Sequence, residues 1–375
     1  MAAAAGAVTS GERAARERRA ARYRLRDALR PHTPLRRVRS CGRVRYAPDV
    51  ALVADQTGRG RYCGLVSCAS VWSCPVCAAA ICAERVADLQ ALSKAARAEG
   101  DAVYMVTCTV RHAWSHDLRV TRRGVTRAWT RIVRGAPWRR FCARFGVVGY
   151  VRALEVTHGP NGWHPHVHAL FVAAPPDAAG VDLEAEGAEW LETRWRQCVE
   201  RELGAEQAPD AWHGLRVRFC NIAEYIAKIG LEVGNTMAKG ASEGHRTPWQ
   251  IAADLAATGS PEDAALWSRY CVAMRGSRQL TWSRELARWV KVLGRDAARS
   301  DEAILEAAER EAAALASRYV VPGATWDRIR DLPGVSADLL AVYEARGRPG
   351  AHEYIRDTLA WLDRLRSHVA TSGGT

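Results

Sequence analysis

Lysine is almost missing from this chain: only four of its 54 basic residues are lysine, at positions 94, 228, 239 and 291, and the other 50 are arginine. Also missing is any apolar run approaching the roughly 18 to 20 residues needed to cross a bilayer, so a membrane partner is not expected. The opening MAAAAGAVTS places its charges after the alanines, in GERAARERRA, the reverse of a secretory signal. A cytoplasmic protein is therefore expected. No internal repeat is present. Disorder throughout is excluded, because 48% of the 375 residues are hydrophobic and 14 are tryptophan, apolar surface enough to offset chain entropy. The length allows two or three domains.

What is present in excess is positive charge, 54 Lys and Arg against 41 Asp and Glu, for a net +13. The arginine bias, with abundant Ala and Gly, is also what a GC-rich coding sequence produces, so the total says little alone. Even so, such an excess attracts polyanions, and arginine is the better phosphate fork. The distribution is more informative. Residues 1–40 hold 11 Arg and three acids, a local charge of +8, and a basic, disordered arm is expected there. Residues 301–375 hold nine Arg and 12 acids, −3, in helical patterns broken at Pro322-Gly323, Pro333-Gly334 and Pro349-Gly350; this reads as a helical C-terminal appendage.

Eleven cysteines in a cytoplasmic chain point to metal ligands or core thiols rather than disulfides. Cys108, Cys142, Cys198, Cys220 and Cys271 are scattered, apolar-flanked and read as core. Cys63, Cys68, Cys74, Cys77 and Cys82 fall within twenty residues, with Cys41 upstream. Cys74-Pro-Val-Cys77 is a knuckle whose tight turn brings two thiolates to one cation. Zinc needs four tetrahedral ligands. Cys68 with either Cys63 or Cys41 would complete the set, making residues 41–98 a small zinc-stapled module.

The stretch from Tyr150 to Val172, YVRALEVTHGPNGWHPHVHALFV, holds two β-like runs around strong turn chemistry and predicts a hairpin. Alternate strand residues share a face, so His166 and His168 point the same way while Val167 turns into the core. A loop symmetric about 158–163 sets Thr157 opposite His164 and Glu155 opposite His166, with Cβ atoms roughly 5 Å apart. One carboxylate and two imidazoles, with open positions left over, suit a divalent cation that also takes a substrate oxygen, Mg or Mn included. The competing interpretation is a set of hydrogen-bonded strand histidines. His158 and His164 lie close enough to contact substrate, and Trp163 beside them either stacks a base or caps the hairpin core. Upstream, AVYMVTCTV over 102–110 is a further strand beside the hairpin, and His112 at its exit is a candidate phosphate contact. The Arg-rich stretch over 119–140 reads as a phosphate-tracking helical face.

In FCNIAEYIAKIGLEV, residues 219–233, Asn221 followed by Glu224 is a capping-box pattern that starts a helix. Ile222, Ile226, Ile229 and Val233 form its buried stripe. Tyr225 flanks the stripe with Lys228 one turn on. A free phenol has a pKa near 10, and a neighbouring ammonium favours phenolate, so Tyr225 is a candidate nucleophile and Lys228 its companion. An ordinary amphipathic Tyr beside a solvated Lys is the plainer alternative.

HPHVH followed by ALF, EYIAK some sixty residues later, and CPVC ahead of both resemble the rolling-circle replication initiators of bacterial plasmids, within the His-hydrophobic-His endonuclease superfamily. The Arg-rich, Lys-poor composition is similar to actinobacterial members, and the resemblance runs from about Cys41 to about Trp282. It implies an α+β fold: a five-stranded antiparallel sheet with helices over 99–240, a helical extension over 241–300, the cysteine module ahead and helical segments behind. It implies His166 and His168 as the metal pair, Tyr225 as the nicking tyrosine and Lys228 its companion. The implied substrate is single-stranded or hairpin origin DNA, nicked to leave a 5′ phosphotyrosine and a free 3′ hydroxyl, with host helicase and polymerase as partners. Some relatives carry a Glu one turn before the tyrosine; Asn221 stands there here, and Ile229 at i+4 leaves a single tyrosine. A zinc-stapled DNA-binding regulator without catalysis, or a relaxase or transposase of the same chemistry, is the alternative.

Overall fold

The computed structural model describes residues 9–175, 180, 182–210, 214–220, 222, 244–315 and 318–372. Tyr225 and Lys228, with Asn221 and Glu224, lie outside the described residues. Contacts divide the chain into two units, residues 81–300 and residues 1–80 with 301–375. Among the described residues the strands are β1 Val50–Ala54, β2 Gly60–Cys63, β3 Ala102–Cys108, β4 Val147–Gly159, β5 Gly162–Ala173, β6 Leu215–Phe219, β7 Leu280–Trp282 and β8 Arg318–Val321.

The unit of residues 81–300 is α+β, built on a five-stranded antiparallel sheet in the order β6-β3-β5-β4-β7. This is the sheet the motifs led us to expect. Period-two alternation gives it two apolar faces. Val103, Met105, Val151, Ala153, Leu170 and Val172 pack against Leu89 and Leu92 of the helix Pro75–Glu99 and Leu286 and Val290 of the helix Arg284–Val292. On the other face Tyr150 and Phe171 meet Trp129 and Trp138, from the helices Leu118–Ile132 and Gly135–Phe145, at 5.4–6.2 Å between ring centroids.

Those two helices are the stretch expected as one basic face. Gly135, with φ of +78°, divides it. Leu118, Val125, Trp129 and Ile132 face inward, and Arg127 and Arg131 on the outer side pair with Glu202.

The other unit corrects the expectation of a disordered arm and a separate appendage. Residues Ser10–Leu29 are a helix, opened by a capping box in which Thr9 accepts from the Glu12 N–H and Glu12 from the Thr9 N–H. The physical reason is charge complementarity within this unit. Arg19 and Arg24 donate to Glu344 and Asp338 of the helix Val335–Ser372 at 2.5 and 2.7 Å. Beneath them Leu52, Tyr62, Val321, Trp326, Ile329, Leu340 and Tyr343 form a core around a three-stranded sheet ordered β2-β1-β8.

Glu344 is the hinge pin of that core. Its side chain is 1% exposed, and Oε1 accepts from both Arg19 and the Gly60 N–H, the latter at 2.7 Å. A Cβ at Gly60 would lie 2.8 Å from the Glu344 side chain, so glycine admits the carboxylate. Glu344→Ala strands a buried N–H and a partly buried guanidinium. We expect it to lower the unfolding free energy by about 3 kcal/mol in equilibrium denaturation, and a loss under about 1 kcal/mol would show the carboxylate to be dispensable.

Candidate metal centres and active site

The β4–β5 hairpin brings the sheet site together. Register places Glu155 opposite His166 and Thr157 opposite His164, as the symmetric loop required, but the strands run on to Gly159 and Gly162 and the turn is tighter than expected. Only Pro160 and Asn161 lie between them, and the left-handed φ of +86° falls on Gly162 just after them, as a glycine does when it follows a type I turn.

On the resulting face, Nε2 of His166 and Nε2 of His168 each lie 3.2 Å from the same Oε2 of Glu155. The three side chains are 10–12% exposed. Each ring is held from behind. His166 Nδ1 lies 3.2 Å from the His164 carbonyl, which only accepts, so Nδ1 is the donor there and Nε2 is the nitrogen turned toward Glu155. His168 Nδ1 is 3.0 Å from Thr107 Oγ1, across the β3–β5 pairing. Anchoring the far nitrogen in this way orients a ligand imidazole. One carboxylate oxygen and two imidazole nitrogens thus converge within ligand distance of one another, a donor set that fits a divalent cation and leaves coordination positions open.

Around this set the other histidines divide. His112 stacks on His164 at 4.3 Å, with ring planes 9° apart. Burial above all, and then the neighbouring His166, His112, His245 and His168 rings, push the His164 pKa down to about 3. Burial also lowers His112 and, with Arg246, His158. These rings are neutral at physiological pH, so they meet a phosphate as hydrogen-bonding groups rather than as cations. Trp163 is 9% exposed and stacked on Tyr270 at 5.6 Å, which places the indole in the core rather than at a substrate surface.

His245 was not foreseen. His158 and Arg246 form a β-bridge, exchanging backbone hydrogen bonds of 2.9 and 2.7 Å, and Arg246 pairs with Asp254 and Asp263. A Cβ at Gly159 would stand 2.5 Å from the His245 ring, so the glycine before the turn makes room for it. The signal was available in the GHRTPWQI segment, but the bridge joins residues 88 apart, His158 and Arg246, and no local pattern announces it.

The second cluster lies in the unit containing both termini. Cys41, Cys68, Cys74 and Cys77 are all buried, with sulfurs within 4.8 Å of one another. Cys41 is 3.7 Å from Cys74 and 3.5 Å from Cys77, and Cys68 is 3.7 Å from Cys77. Ligands about 2.3 Å from a tetrahedral zinc would be separated by about 3.8 Å, so the spacing fits. Cys63 is elsewhere: it sits in β2 among Ala51, Val53 and Ala312. Of the two ways to complete the set, the fold brings in Cys41.

Beside these thiols lies a buried guanidinium. The Arg26 side chain is 4% exposed, bonds Ser336 Oγ at 2.9 Å and pairs with Asp27, which Arg30 shares. It presses on the Cys41-Gly42 turn so closely that a Cβ at Gly42 would fall 1.9 Å from Nη1. Burial opposes its charge, yet Asp27, Cys41, Tyr23 and Cys74 more than offset this and raise its pKa.

Comparison with known proteins agrees with the motifs. Residues 65–202 match a family model described as Replication protein. That span includes Cys68, Cys74, Cys77 and the whole hairpin, and ends before Tyr225. The chain is 27% identical over 402 aligned residues, 87% of each chain, to a Streptomyces lividans protein named Protein rep. It is 29% identical over 187 residues, 40% of this chain and 43% of the other, to a Streptomyces cyanogenus protein named Neomycin resistance protein. No solved structure matches the chain. Among the described residues no helix is long and apolar enough to cross a membrane. Residues 65–202 are therefore similar to a replication-protein domain, and most of the chain is similar to Protein rep of Streptomyces lividans, in line with the motifs.

Proposed function

We propose that the protein nicks single-stranded or hairpin plasmid-origin DNA by tyrosine transesterification and thereby starts rolling-circle replication. The observation that carries the reading is the approach of two strand imidazoles and one carboxylate oxygen to 3.2 Å, each ring anchored through its other nitrogen. A divalent cation held there, Mg or Mn, would polarise the scissile phosphate and offset the charge that develops on it.

The protein's own residues account for the remainder. Glu155 supplies the negative charge that favours a cation over a proton between the rings. Tyr225, as phenolate, attacks phosphorus; the bond to the 3′ oxygen breaks, that oxygen takes a proton, and the phosphate stays on the tyrosine. Lys228, three residues on, favours the phenolate and contacts the phosphate. Cys220 and Ile222, the described residues nearest Tyr225 in sequence, are buried on the same sheet face as His166 and His168, which supports this pairing of parts. A flat site of this kind requires an unpaired strand, and the freed 3′ hydroxyl is what a host polymerase extends once a helicase opens the duplex.

The cysteine cluster is proposed as a structural zinc site of Cys41, Cys68, Cys74 and Cys77. Charge balance supports it: Arg26 and Arg30 share the single carboxylate of Asp27, and four thiolates around a dication would supply the missing negative charge.

Incubating the protein with single-stranded origin DNA and Mn or Mg should give a covalent adduct on a denaturing gel, absent in Tyr225→Phe. An adduct that persists in that variant would remove Tyr225 from the role, and none from the native protein would favour a DNA-binding regulator. Glu155→Ala should weaken Mn binding by at least about tenfold in calorimetry while leaving zinc content intact. Elemental analysis should find one zinc per chain, lost in Cys74→Ser. Arg26→Met should keep the metal but raise its loss to a chromophoric chelator by about 10- to 100-fold; unchanged retention would reduce Arg26 to a packing role.

A further inference from the structure

The burial of Trp163 leaves the substrate side of the site without the stacking surface expected there, and another tryptophan stands in its place. Trp114 follows β3 and is 59% exposed. An indole left in water forgoes a large burial gain unless something covers it in use.

Nor is the ring free to fold away. It sits in a short turn closed by the Ala113 N–H donating to His116 Nδ1 at 3.1 Å and the His116 N–H to the Ala113 carbonyl at 2.9 Å. The indole N–H donates to the Pro160 carbonyl in the hairpin turn, and the ring meets His158 at 5.0 Å with planes 80° apart. The backbone of Trp114 lies so near Gly162 that a Cβ there would come within 3.2 Å of its Cα. The ring is therefore fixed in direction while more than half of the residue is left to solvent.

Its position is equally specific. Two residues earlier, His112 stacks on His164, and His164 lies 5.1 Å, ring to ring, from His166 of the candidate metal set. Arg111 beside it is exposed, and a cation next to an aromatic surface suits a strand whose phosphate follows its base.

We propose that Trp114 is the stacking platform for an unpaired nucleobase of the strand entering the metal site. This rests on the single-stranded substrate of the proposed function and adds a binding subsite to it. With the indole N–H committed to Pro160, the ring offers a π surface but no donor. It therefore holds any base and reads none, and sequence preference must come from elsewhere.

The test separates the subsite from the chemistry. Binding of oligo-dT and of a blunt duplex is measured by fluorescence anisotropy without divalent metal, for the native chain, Trp114→Ala and Trp114→Phe. Trp114→Ala should weaken oligo-dT binding about 5- to 100-fold, Trp114→Phe should recover most of it, and duplex binding should not change. The native melting temperature and near-native metal binding in Trp114→Ala would show that the fold is intact. Equal oligo-dT affinity in Trp114→Ala and the native chain overturns the subsite, as does an equal loss for duplex. If native protein forms the covalent adduct while Trp114→Ala binds oligo-dT normally, the subsite fails and the nickase stands. If oligo-dT affinity falls as expected but no adduct forms, the subsite stands and the nickase fails.

Discussion

Everything at the sheet site depends on the register of one antiparallel pair. With a side-chain period of two, a slip of one residue between β4 and β5 would carry Glu155 away from His166 and set it opposite a residue of the other face. Three constraints prevent that slip. The two-residue turn with left-handed Gly162 fixes one end, the bridge between His158 and Arg246 clamps the outer edge near it, and β3 and β7 pair along the two flanks. The irregularity in the ladder falls between Val147 and Gly149, at the opposite end from the site, where a shift does not reach the ligands. Long strands in a flanked hairpin are a stiff support, and a donor set whose two imidazoles each lie 3.2 Å from one carboxylate oxygen needs one.

The unit containing both termini is ordered by charge as much as by its core. A helix with seven arginines among its 20 residues has no reason to fold alone, since its apolar face is narrow and its charges repel. Glu344 and Asp338 remove that obstacle, one buried and one at the surface. Buried pairing gives little net stability when compared with an apolar contact, but it forbids the wrong partner, because an arginine buried without its carboxylate is far more costly than one left in water. Arg26 illustrates this most strongly. Its single carboxylate is shared, its guanidinium sits against the Cys41-Gly42 turn, and glycine is required there for the contact to exist at all.

How much of this was legible follows from how local each signal is. The hairpin register could be read because a turn and two alternating strands carry it within 23 residues. The five-stranded sheet came with the resemblance that HPHVH, EYIAK and CPVC carry together. Cys41 against Cys63 could not be decided, because spacing leaves both within reach and only the fold shows that β2 turns Cys63 toward Ala51 and Val53. The arm looked disordered because its acidic partners lie more than 300 residues away, so composition over a window of 40 residues could not see them. Trp163 could not be assigned for a similar reason: its neighbour Tyr270 comes from a distant helix, and an aromatic beside a turn has no sequence mark that separates core from surface.

The two donor clusters also differ in a way that separates their chemistry before any metal is named. Four cysteines, all buried, would fill a tetrahedral coordination sphere and leave no position for a substrate, the pattern of a structural site. Two imidazoles and one carboxylate leave positions open, and their side chains keep about a tenth of their surface. The soft thiolate set and the harder nitrogen and oxygen set prefer different cations, so one chain can carry both without exchanging them. The neutral histidines complete the distinction. His164 and His112, stacked and held uncharged, surround the open set with rings that hydrogen-bond without adding positive charge, and a cation bound there would remain the dominant local charge facing a phosphate.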